Sequence, residues 1–347
     1  KEFWRKIGPG LVTGVSDDDP SGIVIYSQTG AQAGYTLLWS ALFTFPLMAV
    51  IQEMCARIGL VTGHGLAGNL RRYYPRWILV TLVGLAVAGI TLNIGSDLAA
   101  MAEVTHLFIP IPEPVLAIFY SVLIVVLLIF TSYRTLANFL KWTALTVLAY
   151  MFVPYFTQTD WREAILHTFI PSISLNRETV LLFVAILGST ISPYLFFWQT
   201  SMEVEDKQSK LKRFMARWIV TKHELRDMKE DVTIGMFVSN AVMWFIIVAT
   251  AVTLNANGIT QINTAKDAAE ALKPFVGPYA HIVFTLGIVS MGMLAIPVLA
   301  GSSSYALAEV MGWQEGLNKK FHQAKQFYGV IIVSTLGGLL IPLLGID

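Results

Sequence analysis

Ser16-Asp17-Asp18-Asp19-Pro20-Ser21-Gly22 interrupts an apolar run, Leu11–Gly30, that is long enough to cross a bilayer. Carboxylates cost roughly 2.5–3.5 kcal/mol each at the centre of a membrane helix, so acids kept there mark function. Pro20 lacks an N–H and its ring clashes with the preceding turn, so the helix must unwind beside the acids. The freed carbonyls and a carboxylate then face one gap, which suits a cation. A later span carries a second proline in polar surroundings, Gly188-Ser189-Thr190-Ile191-Ser192-Pro193.

The rest of the chain supplies the frame for these two breaks. Its 347 residues are 55% hydrophobic and 14% charged, with mean hydropathy +0.61. Soluble domains carry about 25% charged residues, so this composition predicts an all-α polytopic membrane protein. Apolar runs predict nine helices, near Leu11–Gly30, Leu37–Ile58, Trp77–His106, Val115–Ser132, Phe139–Phe156, Thr179–Thr200, Thr233–Leu254, Tyr279–Met311 and Phe327–Gly345. Lys1 to Gly10 reads as a cytoplasmic lead-in rather than a cleavable signal peptide.

With the N-terminus in the cytoplasm, 20 of the 24 Lys and Arg fall on inner segments. The positive-inside rule selects that orientation, in a plasma or inner membrane. The sixth helix then runs opposite to the first. Matched breaks in the first helix of each half point to a transporter built from two inverted five-helix repeats, residues 1–160 and 161–347. Ten helices would complete the pair; the tenth lies beyond Asp347, or two have merged in the count.

Composition also excludes classes. A net charge of +1 implies no nucleic-acid partner, and the single Cys55 excludes an internal disulfide. No phosphate-cradling loop is present, so ATP drive within the chain is not expected, and no cofactor is implied. The charged stretch Glu203–Asp231 reads as a solvated amphipathic helix on the cytoplasmic surface. No histidine lies in mid-span, which argues against a histidine proton relay.

Asp19, directly before Pro20, is the leading ligand candidate, with Asp18, Ser16 and Gly22 beside it. The bland alternative is that the three aspartates solvate an aqueous vestibule, and it weighs most on Asp17 and Asp18. Ser189, Thr190 and Ser192 offer oxygens at the second break. Their alternative is ordinary back-bonding to the preceding turn. Glu53, Asp97 and Glu103 are further acids at membrane depth. Asn93 and Ser96 make the helix face before Asp97 polar.

Three segments carry a family resemblance. Gly8-Pro9-Gly10, eight residues and then Asp19-Pro20 resembles the opening of Nramp divalent-metal transporters, where the break reads Asp-Pro-Gly-Asn. Arg57-Ile58-Gly59-Leu60-Val61-Thr62-Gly63 is similar to the segment after the family's second helix, and Gly301-Ser302-Ser303-Ser304-Tyr305-Ala306 to its eighth-helix stretch. The departures matter as much. The family's Asn falls on Gly22, its sixth-helix Met-Pro-His on Ser192-Pro193-Tyr194, its second sixth-helix His on Gln199, and a third-helix Glu on Ala100. The third-helix Asp matches Asp97. No arginine follows Lys325, where the family has a pair. This pattern resembles the Nramp-related magnesium transporter branch.

The resemblance implies a LeuT-type fold and transport of Mg²⁺ and Mn²⁺ by alternating access, without proton coupling. It places Asp19, Gly22, Ser189 and Ser192 around the ion, with Asp17, Glu53, Asp97, Tyr194, Gln199 and Ser302 in the vestibule or behind the ligands. Thioether ligands favour softer metals, and their absence leaves oxygen alone. The alternative within the class is a proton-coupled Mn²⁺/Fe²⁺ importer. The alternative outside it is an intramembrane aspartyl protease using Asp19 and Asp97, whose Gly-x-Gly-Asp signature is not complete at Gly95-Ser96-Asp97.

Overall fold

The computed structural model describes residues 9–131, 149–172, 176–214, 218–262, 268–269 and 271–345. Every long regular element in it is a helix. The first span is two helices, α1 (Pro9–Asp17) and α2 (Pro20–Ala33). Between them Asp19 is extended, with φ −67° and ψ 167°. A residue before proline is pushed out of the helical region, and a proline at the first helical position loses no hydrogen bond. Pro20 therefore starts α2 as much as it stops α1.

Four helices follow: α3 (Trp39–Thr62), a short α4 (Leu66–Tyr73), α5 (Arg76–His106) and α6 (Glu113–Phe130). Residues 139–148 of the expected fifth span lie outside the described residues; α7 (Ala149–Phe152) belongs to its end. The short α8 (Trp161–Phe169) is capped by Asp160, whose side chain accepts from the Glu163 N–H. The sixth span is again two helices, α9 (Arg177–Thr190) and α10 (Pro193–Phe214), parted at Ile191-Ser192. Next come α11 (Lys222–Thr253), α12 (Lys273–Val276), α13 (Ala280–Met311) and α14 (Lys325–Leu344).

Among the described residues, seven helices are long and apolar enough to cross a membrane. The first span escapes that count because its halves have nine and fourteen residues. One expectation needs correction. The stretch Glu203–Asp231 holds no separate surface helix: it is the far end of α10 and the first turns of α11, with 215–217 outside the described residues. Ion pairs one turn apart, Lys210–Asp206 at 2.6 Å and Arg226–Glu230 at 2.9 Å, let both spanning helices continue as polar rods. A Thr221/Glu224 capping box fixes where α11 begins.

Small residues let the helices close up, as they must where lipid supplies no hydrophobic drive between them. Gly14 on α1 faces Gly235 on α11 with no room for a Cβ between them. Gly95 on α5 meets the Gly338 carbonyl of α14 in the same manner. Helix α13 runs through the middle, buried over 72% of its apolar window, whereas α5 is buried over 28% and turns Leu85 and Leu92 outward.

Candidate metal site

Both breaks meet at one place. The Tyr26 hydroxyl of α2 lies 3.2 Å from Ser189 Oγ at the end of α9. The Tyr194 hydroxyl, one residue into α10, donates to the Ser16 carbonyl of α1 at 3.3 Å. The C-terminal ends of α1 and α9 thus close on a shared gap, each with the partial negative charge of a helix end. Gly22 keeps the approach tight: a Cβ there would lie 2.8 Å from Ser189 Oγ.

Asp19 is held by three donors. The Gly22 N–H reaches its Oδ1 at 2.7 Å, as expected of an N-cap. Ser21 Oγ donates to the same oxygen at 2.8 Å, and Asn93 Nδ2 of α5 donates to Oδ2 at 2.8 Å. Ser21 also lies 2.9 Å from Asn93 Oδ1, and its N–H donates to Asp97 Oδ1 at 3.1 Å. The third helix therefore clamps the first break.

A cavity of about 300 Å³ opens beside Asp19 between α2, α5 and α9. Its polar wall is Asp19, Ser21, Asn93, Ser189, Ser192 and Tyr194. All the functional atoms these residues present are oxygen, except the Asn93 amide nitrogen. Among the described residues, no Met, His or Cys lines it. The volume would accommodate an ion with several waters, each of which occupies about 30 Å³ in the liquid.

The other sequence candidates are placed as follows. Asp17 and Asp18 are buried, and the Ser239 hydroxyl of α11 donates to Asp17 Oδ2 at 2.7 Å and lies 3.4 Å from Asp18 Oδ1. Ser16 Oγ turns back to the Val12 carbonyl at 2.8 Å. Thr190 Oγ1 turns back to Ile186 at 2.9 Å, and Ser192 Oγ bonds the carbonyls of Gly188 and Ser189 at 2.6 and 3.0 Å. Asp97 is fully buried, with Oδ2 lacking a partner among the described residues. Ser302 Oγ supports the Tyr194 carbonyl from α13 at 2.9 Å.

Of the sequence candidates, Asp19, Ser189, Ser192 and Tyr194 line the cavity and the others do not. Glu53 pairs with Arg57 one turn on and lies 3.9 Å from Lys229 of α11. Gln199 bonds to α1 and along its own helix: its Oε1 accepts from Thr13 Oγ1 at 2.6 Å, and its Nε2 donates to Glu203 at 2.9 Å. Beyond them, Asp231 Oδ2 accepts the Gly10 N–H at 2.7 Å and seals the start of α1 against α11.

Sequence reasoning underused Asn93 and Ser21 and missed Ser239 and Asp231. Asn93 could have been found, because it sits one turn before Asp97 on the same helix face. Ser239 and Asp231 carry no local signal; they act on residues more than two hundred positions away.

No Lys or Arg among the described residues pairs with Asp17, Asp18, Asp19 or Asp97. Nor do three His, Cys, Asp or Glu groups among those residues converge as a metal cage. The arrangement offers one well-held carboxylate at an oxygen-lined cavity, with further acids behind it. Such a site can attract a divalent cation without stripping all its water.

Residues 10–347 match the family described as natural resistance-associated macrophage protein-like, Nramp. A divalent metal cation transporter MntH of Caldanaerobacter subterraneus subsp. tengcongensis is 25% identical over 365 residues, covering 100% of this chain and 79% of the relative. Another MntH, of Mesorhizobium japonicum, is 26% identical over 302 residues, covering 84% of this chain and 64% of the relative. A solved manganese transporter of Eremococcus coleocola superposes with TM-score 0.80 at 16% identity, over 99% of this chain and 71% of its own. The nucleobase-cation-symport-1 transporter Mhp1 superposes with TM-score 0.63 at 12% identity, over 97% of this chain and 72% of its own. These likenesses establish the fold: the LeuT-type arrangement of inverted five-helix repeats with broken first and sixth helices.

Proposed function

We infer the function from one premise: the chain belongs to the Nramp family. We propose that it is a transporter, not an enzyme, and that it carries divalent cations, Mg²⁺ and Mn²⁺, across a plasma or inner membrane. The relatives named as divalent metal cation transporters support the broad class. The observation that carries the choice of ion is the cavity wall, which among the described residues has Asp19 and neutral hydroxyl and amide groups and no thioether or imidazole. Mg²⁺ takes oxygen in near-octahedral geometry and sheds water reluctantly, and Mn²⁺ accepts the same donors. This chemistry supports a reading of the chain as one of the family's magnesium-transporting members.

Asp19 would neutralise one charge of the ion and fix its position. Hydroxyls and carbonyls of Ser189 and Ser192 and the backbone near Gly22 would reach it directly or through water, with Asp18, Ser16 and Thr190 around them. Asp17 and Asp97 would supply field from behind. Alternating access would rock the repeats 1–160 and 161–347 about the breaks, with the N-terminus in the cytoplasm. The α1 contacts to Gln199 and Asp231, with Gln199 held in turn by Glu203, would form the closed end of that cycle. The ion would move without protons, drawn by a negative-inside potential worth about 4.6 kcal/mol per divalent ion at 100 mV.

A second reading is a proton-coupled Mn²⁺/Fe²⁺ importer, favoured by the manganese transporter to which this fold is similar and by Asp97 Oδ2, which has no partner among the described residues. One experiment separates the two. Proteoliposomes are loaded with a pH-sensitive dye, clamped in potential and offered Mg²⁺, Mn²⁺, Ca²⁺ and Cd²⁺. Mg²⁺ and Mn²⁺ uptake at constant internal pH is expected. Acidification that tracks Mn²⁺ uptake, with Mg²⁺ excluded, would select the second reading.

A further inference from the structure

Between Glu53 and Asp97 the chain holds no Asp or Glu, yet it holds Arg57, Arg71, Arg72 and Arg76. Arg57 pairs with Glu53. The other three fall in one run, Arg71-Arg72-Tyr73-Tyr74-Pro75-Arg76-Trp77, every residue of which is exposed. The run joins the end of α4 to the first turn of α5, a helix long and apolar enough to cross a membrane. It therefore lies at a bilayer surface. Tyr73 and Trp77, 79% and 71% exposed, are of the kinds that settle at headgroup depth.

The arginines are held in place but not neutralised. Helix α4 is seated through Ala67, which is buried in one cluster with Ala306 of α13 and with Leu79 and Val83 of α5. Arg71 Nη1 donates to the Glu309 carbonyl at 3.2 Å, while the Glu309 carboxylate accepts from the Gly68 N–H at 2.9 Å. Arg72 Nη2 lies 2.6 Å from His64 Nε2. A guanidinium can only donate, so that ring nitrogen accepts and the imidazole is neutral. Partial burial and the Arg72 charge hold His64 below its usual range, in keeping with this. Among the described residues, no carboxylate pairs with Arg71, Arg72 or Arg76. Lys207, Lys210 and Arg226 at the same end of the bundle are matched, by Glu224, Asp206 and Glu230.

We propose that Arg71, Arg72 and Arg76, with Tyr73 and Trp77, form a binding surface for the phosphodiester headgroup of an anionic phospholipid. Guanidinium forks match phosphate oxygens in pairs, and basic clusters directly beside a span attract anionic lipid. The aromatic rings would pack at the boundary between headgroup and acyl chains. The surface is independent of which ion the cavity at Asp19 carries.

The test is titration of the delipidated full chain in detergent with phosphatidylglycerol or phosphatidylcholine, with bound lipid counted by native mass spectrometry. Phosphatidylglycerol should bind more tightly than phosphatidylcholine. Replacing all three arginines, Arg71→Gln with Arg72→Gln and Arg76→Gln, should weaken phosphatidylglycerol about tenfold or more and leave phosphatidylcholine unchanged. Lys210→Gln with Arg226→Gln, which removes matched charge, should change neither. Equal affinity for the two lipids, or full affinity in the triple variant, overturns the proposal. Inorganic phosphate should not displace the lipid; displacement would reduce the surface to a free-anion site and overturn it too. The unsubstituted chain gives a readout that does not depend on how the variants fold: photoactivatable phosphatidylglycerol should label the segment 71–77. Labelling confined to other segments overturns the proposal equally.

Discussion

Gly14 of α1 packs against Gly235 of α11 so closely that a Cβ on Gly14 would overlap the Gly235 carbonyl. The half-helix before the first break is thus seated on the seventh span along its length, with Gly10 and Asp17 making further contacts to the same helix. Gly14→Ala should force the two apart at a cost of about 1–3 kcal/mol, the usual range for overpacking. The thermal midpoint of the purified chain should fall and ion uptake should drop with it. An unchanged midpoint would mean that α1 shifts freely.

Asp231 acts on the same half-helix by charge. It accepts the Gly10 N–H at 2.7 Å and lies 3.3 Å from the Leu11 N–H, at the positive end of α1. Asp231→Asn keeps the shape and removes the charge, weakening the closed end by about 0.5–2 kcal/mol. In a Cys55→Ser background, a cysteine in place of Thr13 should then react faster with a bulky polar thiol reagent. Equal rates would show that Asp231 does not hold α1.

Asn93 should matter because it is the third-helix donor to Asp19. Asp19→Ala should abolish Mg²⁺ uptake with little loss of folded protein. Asn93→Ala should leave folding intact and raise the Mg²⁺ concentration for half-maximal uptake about tenfold or more, since a hydrogen bond to a charged group contributes about 1.5–3 kcal/mol. Near wild-type uptake by Asp19→Ala would remove that residue from the path.

Ser192 faces the cavity, and its hydroxyl is occupied with the Gly188 and Ser189 carbonyls. Ser192→Met would release those carbonyls, fill space used by a hydrated ion and add a soft donor. Preference should move from Mg²⁺ toward Cd²⁺ in competition uptake. An unaltered Mg²⁺/Cd²⁺ ratio would mean that position 192 never meets the ion.

The sequence by itself determined most of the spans and the two breaks, and it singled out Asp19 as the leading candidate ligand. Each of these is a local property. Hydropathy over some twenty residues sets a span, and Asp19-Pro20 sets a helix end within two residues. Helix ends were less legible where charge continued the helix past the apolar run, as in α10 and α11, because i,i+4 ion pairs sustain a helix that hydropathy would stop. Tertiary structure alone decided which groups surround Asp19. Asn93 reaches it across 74 positions, Ser189 meets Tyr26 across 163, and Ser239 reaches Asp17 across 222. Such contacts depend on how closely small residues let whole helices approach, which is fixed only when all the helices pack together.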